Sequence, residues 1–157
     1  MEESKKNEEL TNLVKEKYSE IAKESSGCGC GCSCGDATTY SIFSDDYTKL
    51  EGYNPDADLN LGCGIPTEFA KIKEGDTVID LGSGAGNDCF VARSLVGETG
   101  MVIGIDMTPA MVDKANENIK KLGFDNVQFR LGQIEKMPVT SGKADVIISN
   151  CVLNLVP

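Results

Sequence analysis

Apolar residues in the first two dozen positions recur at helical spacing. Leu10, Leu13, Val14, Tyr18 and Ile21 are separated by Lys and Glu, which predicts an amphipathic docking helix over residues 7–24. The pattern stops at residues 25–37, which hold only Gly, Ser and Cys until Asp36 and offer nothing to pack, so a flexible segment is expected there. Residues 38–61 are mixed, with turn signals at Gly52 and Asn54-Pro55. From Thr67 onward, short apolar runs alternate with helical patterns. A short helical stretch carries Glu68, Phe69, Ala70 and Ile72, and Glu74-Gly75-Asp76 reads as a turn. Strands are predicted at 77–81 (TVIDL), 101–105 (MVIGI), 127–131 (VQFRL) and 144–149 (ADVIIS), with a helix over 87–96. A second helix starts at the N-cap Thr108 with Pro109 behind it, carries Met111, Val112, Ala115, Ile119 and Leu122 on one face, and ends at Gly123. Strands alternating with helices imply βαβ units, an α/β Rossmann-like parallel sheet of about four strands. The apolar runs of the first and fourth strands suggest burial on both faces. The expected organisation is an N-terminal helix (1–24), a Gly/Cys-rich segment (25–37) and a Rossmann-like unit (38–157).

Composition narrows the partners. A chain of 157 residues makes one ordinary domain, and a net charge of −10 with no basic cluster argues against nucleic acid or an anionic membrane and for a small molecule. No run approaches the ~18 apolar residues of a membrane span. The opening MEESKKNEEL lacks a signal-peptide core, so a cytoplasmic location is expected. There, seven cysteines read as thiols or soft-metal ligands rather than disulfides. The chain has no histidine, which excludes a histidine general base and any triad built on one.

The loop after the first strand runs Asp80-Leu81-Gly82-Ser83-Gly84-Ala85-Gly86-Asn87 and opens a helix. Glycines let the backbone turn sharply and approach a ligand, and the helix N-terminus offers free N–H groups. A dinucleotide fingerprint places its third glycine at the sixth position of the run; counted from Gly82 that position is Asn87. The pattern instead resembles motif I of class I S-adenosylmethionine methyltransferases. Asp106, closing the second strand, is placed to accept both ribose hydroxyls, with Met107 beside it. Gln133, Ile134 and Glu135 follow the third strand, where that class holds the adenine, and Asn150 lies at the carboxyl edge of the sheet, where open parallel sheets bind ligands.

Cys28, Cys30, Cys32 and Cys34 alternate with Gly or Ser, a spacing unlike zinc ribbons but able to bring two or three sulfurs to a soft ion. Cys63 is flanked by glycines, Cys151 follows the fourth strand, and Cys89, on the first helix of the sheet, reads as a small core residue. Taken with LGCG at 61–64, DLGSGAGNDCF at 80–90, GIDMT at 104–108 and SNCVLNLVP at 149–157, residues 58–157 resemble the arsenite S-adenosylmethionine methyltransferases. LVKEKYSEIA at 13–22 is similar to that family's N-terminal helix, whose tyrosines border the cofactor, here Tyr18. The Gly/Cys tract is similar to that of its bacterial members. The resemblance implies S-adenosylmethionine as methyl donor and trivalent arsenic held by the thiolates of Cys63 and Cys151, with Cys32 or Cys34 as a further ligand.

Such a centre keeps a lone pair that attacks the methyl without losing a proton, so no general base is needed. Catalysis is then mainly alignment, an effect that can supply roughly 7–11 kcal/mol. Arsenite or its thiol adducts, together with reducing thiols, are the implied partners. The family's fold has seven strands in the order 3-2-1-4-5-7-6 and a further metalloid-binding cysteine beyond the fifth, so the chain is expected to be the truncated N-terminal part of a longer enzyme. Its apolar fourth strand then becomes an edge that pairs with a missing C-terminal half or a second copy. Two other readings stay open: methylation of another acceptor, such as a quinone or small metabolite, and a thiol protein that sequesters metalloid through the CGCGCSC tract.

Overall fold

The computed structural model describes residues 2–24, 46–59, 61 and 64–153. The Gly/Cys tract, Cys32, Cys34 and Cys63 lie outside the described residues. Helix α1 spans Glu2–Glu24 and α2 spans Pro66–Phe69; these precede β1 (Thr77–Leu81), α3 (Asn87–Val96), β2 (Met101–Asp106), α4 (Pro109–Leu122), β3 (Val127–Leu131) and β4 (Val146–Ser149). All neighbouring strands pair in parallel, in the order β3-β2-β1-β4. That is the expected α/β Rossmann-like sheet, with β4 on an edge.

Alternation along the strands sorts side chains to two faces. Val78, Val102, Val127 and Ile148 pack against Cys89, Phe90 and Val96 of α3 and Val112 and Ala115 of α4. Both helices therefore cover the same face. Phe90 is fully buried, its ring edge-on to Phe129 at 5.9 Å and 6.3 Å from Phe124. Burial of one such side chain contributes about 1.5–3 kcal/mol. The opposite face gathers Ile79, Ile103 and Ile105 with Val139 and Ala144. Burial on both faces holds for β1 and β2 but not for β4, whose Ile147 is 55% exposed. Ile147 pairs with Ile79 on that second face, and there β4 has no neighbour beyond β1 among the described residues.

Element boundaries differ from the sequence reading where polar residues decide them. Helix α1 begins at Glu2 rather than residue 7, since the Glu and Lys that precede its apolar stripe are good helix formers. Strand β4 begins at Val146 rather than Ala144, because Asp145 bonds to Thr77 from both its backbone N–H and its carboxylate. Helix α2 stops at Phe69, before Ile72. Thr108 is the N-cap of α4, but without a side-chain cap bond; its own N–H donates to Asp106 Oδ1 at 2.8 Å.

Candidate functional site

The carboxyl ends of the strands open onto one cavity. Its floor is the loop from Gly82 to Ala85, which leaves β1 and leads into α3. The Gly82 and Ser83 N–H groups both donate to the Ile105 carbonyl, tying the loop to β2. Asp106 fixes its crest: Oδ2 accepts the Gly84 N–H at 3.0 Å while Oδ1 accepts that of Thr108. Gly82 has φ +72°, and a Cβ there would stand 2.2 Å from Val152 Cγ2. The segment after β4 thus rests directly on the loop. Gly86, at φ +100°, is backed by the rings of Phe129 and Phe90.

The sequence-predicted residues converge here. Tyr18, Gly82, Ser83, Gly84, Asp106, Met107, Gln133, Ile134, Glu135, Asn150 and Cys151 all line the cavity. Gly86 lies behind the wall as the N-cap of α3. Asp80 sits beneath the floor, only 1% exposed, where it accepts the Cys89 Sγ–H at 3.2 Å. Cys89 is a buried free thiol, as expected of a core cysteine, and burial beside Asp80 pushes its pKa well up, away from thiolate chemistry. Cys151 is exposed at the rim, in the left-handed backbone region at φ +55°. It is disulfide-bonded. This corrects, for Cys151, the expectation that the cysteines are thiols or soft-metal ligands rather than disulfides. Among the described residues no three His, Cys, Asp or Glu gather as a metal site.

Electrostatics distinguish the ligand class. Asp58, Asp88, Asp106 and Glu135 line the cavity, and its described lining contains no Lys or Arg. Burial raises the Asp106 pKa against the lowering effect of the Thr108 and Gly84 N–H groups. Burial likewise raises Asp88, and Asp80 is raised well above the carboxylate range by burial and the nearby Asp88 charge. Such a pocket repels phosphates and favours a cation. Two buried polar atoms on its wall, Ser83 Oγ and Asn87 Oδ1, lack a hydrogen-bond partner. Orphans of this kind fit a ligand that brings both donors and acceptors.

Sequence reasoning missed Tyr47 and Asp88, which both line the cavity. Tyr47 is 4% exposed, its hydroxyl 2.6 Å from the Gly64 carbonyl and 2.7 Å from Asp88 Oδ1. Asn150 Nδ2 donates to the same Gly64 carbonyl at 2.9 Å, to Asp88 Oδ2 at 3.0 Å and to Tyr47 Oη at 3.0 Å. A carboxylate on the inward face of α3, beside fully buried Cys89 and Phe90, was the available signal. For Tyr47, in an aperiodic segment, there was none.

Comparison with known proteins gives the same direction. Residues 72–157 match the family model described as a methyltransferase domain. An arsenite methyltransferase of Halobacterium salinarum is 44% identical over 96% of this chain, which covers 41% of that protein. An arsenic(III) S-adenosylmethionine methyltransferase from Chlamydomonas reinhardtii superposes with a TM-score of 0.53 at 42% identity, over 61% of this chain and 35% of that one. A SAM-dependent methyltransferase from Aquifex aeolicus gives 0.52 at 35% identity, over 67% and 52%. The chain thus spans about two fifths of the length of its curated relative.

Proposed function

The chain belongs to the methyltransferase-domain family, and from that premise we propose that it is the cofactor-binding part of an enzyme that methylates thiolate-bound trivalent arsenic. The carrying observation is the acidic pocket, with no Lys or Arg among its described lining and Cys151 on its rim. Bound there, S-adenosylmethionine supplies an electrophilic methyl on a sulfonium. Asp106 would hold the ribose hydroxyls with its remaining lone pairs, and Gly84 leaves space beside it, since a Cβ there would meet nothing within 4 Å. Met107 and Ile134 would sandwich the base, and Gln133 and Glu135 would read its edge. Ser83 Oγ and Asn87 Oδ1, orphaned in the wall, would take the amino-acid end. Helix α1 would cover the site through Thr11, Val14 and Tyr18, which line the cavity.

Cys151 and Cys63 would carry the acceptor, with Cys32 or Cys34 as a third ligand. Each thiol proton leaves with an arsenic hydroxyl as water, so the buried carboxylates need accept none. A reducing thiol would be needed to open the disulfide. The outer edge of β4 and exposed Ile147 would receive the rest of the sheet, from a C-terminal half or a second copy. No helix among the described residues is long and apolar enough to cross a membrane, and we place the protein in the cytoplasm.

The test is calorimetric titration of arsenite into the reduced chain, with and without S-adenosylmethionine, beside a Cys63→Ser/Cys151→Ser double variant. Tight binding that disappears in the double variant is the expected result. Equal binding to both proteins, or none to either, removes arsenic as the acceptor and leaves a methyltransferase of another small molecule.

A further inference from the structure

Two oxygens press on the Tyr47 hydroxyl, and it has one hydrogen. Its Oη lies 2.6 Å from the Gly64 carbonyl and 2.7 Å from Asp88 Oδ1. Separations that short hold a hydrogen between the oxygens. Burial raises the Tyr47 pKa, so the hydroxyl keeps its own hydrogen, but it has no second. The carbonyl has none to give. Asn150 donates from Nδ2, which stands 2.9 Å from the Gly64 oxygen, 3.0 Å from Asp88 Oδ2 and 3.0 Å from Tyr47 Oη, and its two hydrogens fill neither gap between oxygens. An ionised Asp88 would therefore set lone pair against lone pair in one of those gaps. A proton on Asp88 Oδ1 removes the conflict: Asp88 donates to Tyr47, Tyr47 to Gly64, and Asn150 to Gly64 and Asp88 Oδ2.

The surroundings favour that neutral form. Burial raises the Asp88 carboxyl against the lowering effect of Tyr47 and Asn150. The other titratable groups near it are Asp58, Asp80 of β1 and the Cys89 thiol, all anionic when charged. The described cavity lining offers no Lys or Arg to compensate an anion. The other raised carboxyls are placed differently. Asp106 takes the Gly84 and Thr108 N–H groups on its two oxygens, which solvate it as an anion. Asp80 lies beneath the floor on the Cys89 Sγ–H, whereas Asp88 lines the cavity.

We propose that Asp88 is an uncharged carboxylic acid in the folded protein and the group that ionises for a cationic ligand of this cavity, which makes it the residue that tells the methyl donor from its spent form. A cation nearby favours the carboxylate, and the proton leaves to solvent. On ionisation the Tyr47 hydrogen turns to Asp88 Oδ1, and the Gly64 carbonyl keeps that of Asn150. S-adenosylmethionine carries the sulfonium charge that S-adenosylhomocysteine lacks, so only the former recovers the cost of ionising Asp88. This selectivity rests on the reading of the cavity as the donor site; the proton on Asp88 does not.

The proton is read by infrared difference spectroscopy of the full chain across a pH series. Asp88→Asn keeps an N–H donor for Tyr47 and an oxygen for Asn150, and should delete one protonated-carboxyl band. Tyr47→Phe removes the acceptor of that proton and should shift the same band. If Asp88→Asn does not fold, the shift in Tyr47→Phe decides. A spectrum with no protonated-carboxyl band that either variant moves overturns the proposal. Selectivity is read by calorimetry with both nucleosides. The ratio of the S-adenosylhomocysteine Kd to the S-adenosylmethionine Kd is expected to rise about tenfold in the parent as pH is raised through the Asp88 value, the equivalent of a one-unit pKa displacement. In Asp88→Asn the rise should be at least threefold smaller. An equal rise in both proteins overturns Asp88 as the charge-sensing residue. Binding of neither nucleoside to the parent overturns the donor reading and the selectivity with it, while the infrared band still decides the proton.

Discussion

Alanine at Gly82 and alanine at Gly84 differ from the parent by the same methyl group yet should fail in opposite ways. Both glycines have positive φ, +72° and +52°, so each substitution carries a left-handed penalty of about 1–2 kcal/mol. At Gly84 nothing else is met, because no atom lies within 4 Å of the new Cβ. At Gly82 the methyl lands 2.2, 2.7 and 2.9 Å from Cγ2, Cγ1 and Cβ of Val152. A β-branched side chain cannot rotate away from all three contacts. The segment must lift instead, adding about 1–3 kcal/mol of overpacking. Gly82→Ala should therefore lose about 2–5 kcal/mol in urea unfolding and Gly84→Ala only about 1–2 kcal/mol. Binding should rank the other way. The Gly84 methyl enters the space beside Asp106 and should weaken S-adenosylhomocysteine at least tenfold, equivalent to about 1.4 kcal/mol. Urea titration and isothermal calorimetry on both variants give the four numbers. Equal stability losses would refute the contact of Val152 with the loop, and unchanged affinity in Gly84→Ala would refute the placement of the ligand.

Buried Asp80, Asp88 and Asp106 hold protons to a higher pH than they would in the unfolded chain, so their contribution to stability is full below the ordinary carboxylate value and is lost as pH rises through the raised ones. A bound cation reverses this. S-adenosylmethionine should release protons on binding and gain affinity with pH across that window, while S-adenosylhomocysteine, lacking the sulfonium charge, should show a shallower slope; calorimetry in buffers of differing ionisation enthalpy measures both, and equal proton release would remove the cation argument. Cys89→Ala deletes the donor to Asp80 and should cost about 1–3 kcal/mol through the orphaned carboxyl. Cys89→Ser, keeping a donor, should recover part of that in the same urea titration. Asn126→Ala should cost about 2–4 kcal/mol, since its amide donates to the Gly97 and Gly100 carbonyls at 2.8 and 2.9 Å and its oxygen accepts from Arg93; a loss below about 0.5 kcal/mol would show that water replaces it.

What the sequence disclosed was whatever rests on local periodicity or on one residue's own backbone. TVIDL and MVIGI read as strands because a strand buried on both faces needs an unbroken apolar run. The loop read as a ligand floor because glycine adopts positive φ, as Gly82, Gly84 and Gly86 do, without the penalty that other residues carry there. Asp106 followed from its place at the end of a strand. The hydrogen bonds that join Tyr47 and Asn150 to Asp88 were illegible because they are pairwise across 41 and 62 residues, and neither partner looks unusual alone. Asp88 in the first turn of α3 reads as an ordinary complement to the helix dipole. Thr108 misled in a smaller way. It is a preferred capping type, but its hydroxyl hydrogen-bonds Asp106, two residues before it, and makes no bond to the first N–H groups of the helix. The exposed second face of β4 was hidden by the same rule that found the strand, since an apolar run reports the burial a strand is built for rather than the cover it has among the described residues.

The acidity of the pocket bears on which acceptor suits the proposed reaction. Carboxylates beside a thiol or hydroxyl raise its pKa, so a site lined by Asp58, Asp88, Asp106 and Glu135 penalises any acceptor that must first become an anion. The same carboxylates favour a sulfonium ligand, and methyl transfer to a neutral atom lets the positive charge pass to the product rather than be annihilated. Oxygen acceptors of alcohol type therefore meet a conflict here: the lining that retains the donor suppresses the alkoxide that would attack it, and no histidine in the chain can take the proton. Arsenic(III) held by thiols escapes the conflict, because it enters by exchanging neutral hydroxyls for neutral thiols and attacks through a lone pair it already has. What such chemistry asks of the protein is position, and under the proposed function it falls to a rim segment whose left-handed backbone at Cys151 is braced by Asn150 before it and Val152 after it.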